Sequence, residues 1–472
     1  MEETFIMKKL RAKVEILTQE EILQIHNASL RVLEQTGMSM PNRECLSRCE
    51  KVGAVVDYDK ETIRIPVSVM EDLLTEFKQN KSTESDSMVR EPIKGHISTQ
   101  VFVVDYETKQ RRYGLSDDIL RGIAMVQHLD NIQSCNSVCV PSDVDSRVTD
   151  LHTYLQLYKY SKKRGGTYIL SPQTAQYILD MADCMGRKEG YLFESVSPLR
   201  YRKETLEMGL LFADRGHYLS IAPMIMGGST GPVTMAGVIT LVTAEVLGSL
   251  FSCYALTGNF PGFYGHGSHS SDPSNLLCSF GSPNQALIGI ASAQMGEFYG
   301  MGAGSNSALT DALQLDFQGG YEKASNTIFS CLAGTTSIGC QGIVGADQGF
   351  SFEQLVVDNE WLDAYRYVVS GFEVNEDTIA EELINTIGIG GNFLAEEHTV
   401  KHLRESWWPS KLFVRNDWDA WKTNGAVDLF TRAHEKVEAL TVGYRNMELV
   451  LPSSKLEELE RIVAGGMKAI LK

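Results

Sequence analysis

Three glycine-rich stretches hold most of the residues that could do chemistry: "YGHGSHSSDPSN" (264–275), "GMGAGSNSALTD" (300–311) and "GCQGIVGADQGFSFEQ" (339–354). His266, Asp311 and Asp347 are the candidate catalytic groups. Tyr264, Ser305, Asn306, Gln341, Phe350 and Phe352 are the candidate substrate-binding groups. Aromatic faces with a carboxylate or two suit a quaternary ammonium, which has no N–H to donate. The plainer reading is that the histidines hydrogen-bond within their loop and the two phenylalanines close a core. A dinucleotide loop does not fit, because that fingerprint needs a strand before the first glycine and a third glycine at a helix start. Here a helix precedes Gly300 and Ser305 stands near the expected glycine. His266 and His269 make a weak zinc pattern without a nearby thiolate, and Cys278, Cys331 or Cys340 would have to converge on them. No metal ligands are therefore assigned. There is no Ser/His/Asp elbow, phosphate-binding lysine loop or basic aromatic stripe.

These loops need a scaffold, and the surrounding pattern supplies one. Thr18 and Glu21 form a capping box ahead of a helix that stops at Gly37, and a second helix follows Asn42. "VFVVDYETKQRRYG" reads as a hairpin. From Ser116 onward, strand, polar break and helix recur at a spacing of roughly 40 residues, the rhythm of successive βα units. An open doubly wound sheet and a (β/α)8 TIM-type barrel both accommodate that rhythm. Clusters that recur after several strands favour the barrel, whose site lies at the strands' C-terminal ends. The expected α/β architecture is thus a helical N-terminal extension (1–115), a catalytic barrel (116–395) and a helical C-terminal segment (396–472). Six strands are clear; the rest fall near Ile387–Phe393 or among the early extended segments. Glu245 and Glu322 lie in helices with apolar neighbours and read as anchors for nearby helices or loops.

The chain has 472 residues, 43% hydrophobic and 22% charged, with a net charge of −17. That balance speaks against nucleic acid and anionic membrane as partners. The apolar run Val233–Leu256 is long enough to span a bilayer, but Glu245 at its centre makes a buried core helix the better reading. The N-terminus shows no signal-peptide pattern, and the nine cysteines suit a reducing, cytoplasmic setting.

Four segments together resemble the trimethylamine methyltransferase superfamily: "SIAPMIMGGSTGPVTMAGVITLVTAEVLGS", "GAGSNSALTDALQLDFQGGYEK", "GADQGFSFEQLVVDNE" and "GGNFLAEEHTVKHLRESWWP". The resemblance implies a (β/α)8 barrel that moves a methyl group from an amine to the cob(I)amide of a separate corrinoid protein. No tightly bound cofactor is expected, since the corrinoid arrives on its partner; a homo-oligomer is expected for a protein of this kind. The enzymes that name the family carry pyrrolysine, whereas this chain has only standard residues. That points to the branch acting on quaternary amines such as glycine betaine, proline betaine or carnitine. Asn306 and Gln341 would then grip the carboxylate of a betaine. Asn392 stands where the family is expected to show histidine and receives no role. A zinc-dependent methyltransferase or lyase, or a non-catalytic betaine-binding barrel, are the alternatives.

Overall fold

The computed structural model describes residues 13–82, 93–404 and 406–472. Helix α1 (Gln19–Gln35) starts as the sequence dictates: Thr18 Oγ1 accepts from the Glu21 amide at 3.2 Å, and the Glu21 carboxylate accepts from the Thr18 amide at 2.7 Å. A small antiparallel sheet (Met38–Ser39, Val55–Asp57, Thr62–Arg64) and helices Arg43–Lys51 and Val67–Ser82 complete this region. Phe102–Val104 and Arg111–Tyr113 form the expected antiparallel hairpin.

Seven short strands carry the parallel architecture: β1 (Lys94–Ile97), β2 (Ile132–Ser134), β3 (Gly190–Leu192), β4 (Tyr218–Ser220), β5 (Phe263–Tyr264), β6 (Gly302–Ser305) and β7 (Ser337–Gln341). β5, β6, β7, β1 and β2 form one parallel sheet in that order, so the last of these seven strands lies beside the first. β3 and β4 form a second parallel pair. Met226–Gly227, after β4, runs parallel to His269–Ser271, after β5. Beyond β2, the amides of Cys135 and Ser137 donate to the carbonyls of Arg164 and Gly166 at 2.7 and 2.9 Å. Among the described residues no ladder joins the 164–170 stretch to β3, so the pairings do not close into a ring. The fold is a mixed α/β structure with parallel sheets, and β1 lies within the segment that the sequence assigns to an extension. Residues 387–393 contain no strand.

Helices follow the strands: α2 (Met235–Thr257), α3 (Pro283–Tyr299), α4 (Phe317–Ala333) and α5 (Phe352–Ser370). α2 is, among the described residues, the helix long and apolar enough to cross a membrane. It is buried here, with Leu33 and Met38 of the N-terminal region packed on it. Gly248 permits that approach, because a Cβ there would lie 2.4 Å from Met38 Sδ. Its one carboxylate, Glu245, is fully buried and accepts from Ser195 Oγ (2.8 Å), Ser197 Oγ (2.8 Å) and the Leu199 amide (2.9 Å). It anchors the loop after β3, the kind of role read from the sequence. Glu322 does the same for the loop after β6, accepting from Thr310 Oγ1 and the Asp311 amide.

Candidate functional site

Side chains alternate between the two faces of a strand, and that alternation decides which loop residues reach a site. Along β5 and β6, Tyr264, Ala303 and Ser305 face α3. A Cβ at Gly296 of α3 would lie 3.0 Å from Ala303 Cβ and 3.5 Å from Tyr264 Cβ, and one at Gly289 would lie 3.3 Å from Ser305 Oγ. The Tyr264 hydroxyl is 2.8 Å from Thr243 Oγ1 on α2, and its ring stacks on Tyr299. His266 is turned the same way. Its Nδ1 accepts from the Ser268 amide at 3.2 Å, so the proton sits on Nε2 and donates to Ser292 Oγ at 2.6 Å. Burial, with His269 adjacent, brings His266 down to about 3, so the ring is neutral. Burial also brings His269 down to about 4, with its Nδ1 2.8 Å from Gln285 Oε1. Both histidines pin the loop to α3.

The opposite face is built from glycine. Asn306 continues β6 and its carboxamide lies between the neighbouring strand ends: a Cβ at Gly267 would lie 3.2 Å from Nδ2, and one at Gly339 only 2.5 Å from Oδ1. Among the described residues no hydrogen bond reaches this half-buried carboxamide. The exposed Met224 lies over Gly267 beside it.

Strict alternation along β7 would bring Gln341 to this face as well. The register shifts between Ile338 and Gln341, and Cys340 takes a left-handed φ of +73°. Gln341 is thereby swung beneath α5, where its Cγ would lie 2.9 Å from a Cβ at Gly95, and its Nε2 donates to the Ile338 carbonyl at 3.3 Å. Cys340 takes that place instead, buried beside Leu309 and Ile343 with its Sγ 3.8 Å from Ser98 Oγ, and burial pushes its thiol up to about 12. Asp347, also left-handed at φ +60°, accepts from Gln100 Nε2 at 2.9 Å, and burial raises its carboxyl above the usual range. Crowding by the chain, followed by the Asp347 charge, pushes the Tyr168 hydroxyl up to about 12. Glu194 is the next acid in that field, and burial raises it too. Asp311 accepts from the amides of Phe280 and Gly281 at 3.0 and 2.9 Å, bracing the loop beside Cys278. Phe350 and Phe352 meet edge to face at 5.2 Å inside the core under α5.

The structure therefore brings Asn306 and Asp347 to the face at the strands' C-terminal ends and puts Asp311 in a bracing position. Tyr264, His266, Ser305, Gln341, Phe350 and Phe352 lie on the helix-facing side. Sequence reasoning missed Gln100, Tyr168, Glu194 and Cys340. Gln100 and Glu194 lie in segments "STQ" and "FESV" that carry no glycine cluster, Tyr168 follows Gly165–Gly166 in "GGTYIL" without an acid or amide to single it out, and Cys340 depends on a bulge. Among the described residues, no three His, Cys, Asp or Glu side chains converge as a metal site. Two surface clefts lie elsewhere, on the outer helices. One is lined by Arg112, Arg121, Glu353 and His434, which are paired with neighbouring charges; the other lies between the 172–185 and C-terminal helices.

Residues 2–466 match the family described as trimethylamine methyltransferase (MTTB). The chain is 26% identical to a glycine betaine methyltransferase of Desulfitobacterium hafniense (strain Y51), over 93% of this chain and 94% of that one. It is 25% identical to the trimethylamine methyltransferase MttB of D. hafniense (strain DSM 10664 / DCB-2), covering 90% and 89%. It is 27% identical to the protein of that name from Methanosarcina barkeri, covering 90% of each.

Proposed function

Because the chain belongs to the trimethylamine methyltransferase family, we propose that it is a methyltransferase for quaternary amines of the betaine class, with the cob(I)amide of a cognate corrinoid protein as acceptor. The observation that carries this reading is the Asn306 carboxamide, set between Gly267 and Gly339 at the strand ends, with Asp347 in the loop that follows the next strand. It is a polar donor at an otherwise small-residue face, suited to a substrate carboxylate. Asp347 offers a counter-charge for the ammonium, and Gln100 holds that carboxylate in place. With Gln341 occupied beneath α5, Asn306 is the amide left for this role.

The chemistry asks little of the protein besides placement. A quaternary ammonium leaves as a neutral amine, so no proton has to be supplied. Positive charge on nitrogen fades as the methyl departs, so a carboxylate pressed against it would favour the bound substrate over the transition state. Asp347 is half-buried and burial raises its carboxyl above the usual range, which weakens that penalty. The remaining work is to hold the N–CH₃ axis toward the opening and to exclude water. The corrinoid supplies the nucleophile that accepts the methyl group. Exposed apolar side chains on loops that follow these strands (Met224, Leu276, Leu277, Leu313 and Phe317) suit a docking protein. We read the parallel pairings, with last strand beside first, as a (β/α)8 barrel whose eighth strand is the 164–170 stretch. Nine free thiols fit a reducing cytoplasm. Calorimetric titration of Asn306→Ala with glycine betaine, proline betaine and carnitine tests the assignment. A weakened dissociation constant is expected, and binding equal to the unaltered protein would remove Asn306 from the site.

A further inference from the structure

The alternation that turns Tyr264 toward α3 turns its neighbour Phe263 to the opposite face. Tyr264 is fully buried, whereas Phe263 stays 39% exposed. Three glycines decide where its ring goes. Gly265 lies two residues further along the chain on the same face, and Phe263 pairs with Gly302 of β6, two residues before Gly304. A Cβ at Gly265 would lie 2.8 Å from Phe263 Cε1, one at Gly304 2.7 Å from Cζ, and one at Gly302 3.4 Å from Cδ2. The ring therefore lies across β5 and β6 on backbone that carries no side chain. A larger residue at 265 or 304 would push it away, so these glycines make room for the ring.

Gly304 and Asn306 are two residues apart on one strand, so they share a face and stand about 6.6 Å apart. The Phe263 ring over Gly304 thus borders the Asn306 carboxamide, on the face that carries the candidate site. A quaternary ammonium has no N–H and spreads its charge over its methyl groups, so an aromatic face attracts it where an ordinary hydrogen-bond acceptor finds no donor. In a betaine, a short carbon chain separates that ammonium from the carboxylate, which suits a ring and a carboxamide at this spacing. Tyr264, Phe350 and Phe352, the aromatic residues that the sequence offers for this purpose, are all buried in the core. Phe263 is the ring that the fold leaves open.

We propose that Phe263 is the aromatic seat of the substrate's ammonium group, its open face against the N-methyl groups while Asn306 takes the carboxylate. The inference rests on the betaine-class reading of the site and adds the residue that selects a charged ammonium over a neutral group of the same shape. Calorimetric titration tests it, comparing whichever of glycine betaine, proline betaine and carnitine binds with its analogue carrying carbon in place of nitrogen; for glycine betaine this is tert-butylacetate. Phe263→Leu should weaken the betaine about ten-fold and leave the carbon analogue almost unchanged. Replacing Phe263 by a trifluorinated phenylalanine, which keeps the shape of the ring and removes the negative potential of its face, should do the same without changing the circular dichroism. Equal losses for the betaine and its carbon analogue, or betaine binding unchanged in both variants, would overturn the role of the ring and leave the betaine reading standing. Failure of the unaltered protein to bind any of the three betaines would overturn both.

Discussion

Adding one methyl group at Gly339 probes the placement of Asn306 without touching its chemistry. Gly339 does not adopt a left-handed backbone, so alanine brings no conformational strain there. Its Cβ would lie 2.5 Å from Asn306 Oδ1, against an ordinary contact of at least 3.4 Å. The carboxamide, as the far end of a flexible side chain, has to yield by about 0.9 Å. A misplacement near 1 Å in a group that orients substrate costs on the order of 100-fold in rate, or about 2.7 kcal/mol of transition-state stabilisation. Gly339→Ala should therefore lower kcat/KM about 100-fold in a methyl-transfer assay. Its melting temperature should stay within a few degrees, as for a substitution that costs under about 1 kcal/mol. Full activity in Gly339→Ala would show that the Asn306 carboxamide is not an orienting group.

Three further outcomes follow from the same geometry. Tyr264→Phe removes the hydroxyl contact with Thr243 and should cost about 1 kcal/mol in denaturant unfolding with KM unchanged; a raised KM would put the ring in the substrate pocket. Glu245→Leu leaves two hydroxyls and the Leu199 amide without their acceptor and should cost about 3 kcal/mol in the same measurement, and a neutral result would refute the anchoring role. Because burial raises Asp347, its carboxyl is protonated over a wider range than usual and carries its charge only above that raised value. Affinity for a quaternary ammonium should therefore rise as pH increases through it, and Asp347→Asn should flatten that dependence in titrations across pH.

Much of the scaffold was legible because it rests on local chemistry. The capping box at Thr18, the hairpin around residues 102–113 and the alternation of glycine-rich breaks with helices all depend on neighbours close in sequence. The missing strands were harder. β1 lies in a short stretch, "KGHI", whose partners are β7 and β2, more than 200 and about 40 residues away, and no local pattern announces that pairing. The site divided along the same line. Asn306 and Asp347 were readable as polar residues just past glycine-rich strand ends. Tyr264, His266 and Ser305 belong to the same motifs, yet alternation turns them toward α3, and the sequence does not say which face is the inner one. Gln341 shows the sharper limit, since one left-handed residue, Cys340, exchanges the two side chains between faces. For the aromatic candidates Phe350 and Phe352 the plainer reading is a core role, and burial places them there.

The most direct test of the central claim is to follow methylcobalamin spectroscopically after mixing the purified protein with chemically reduced cob(I)alamin and, in turn, glycine betaine, proline betaine, carnitine, choline and trimethylamine. The account predicts methylcobalamin with a betaine-class amine, and its loss on substitution of Asn306. No methylated corrinoid from any of the five, with a corrinoid protein also supplied, would contradict it.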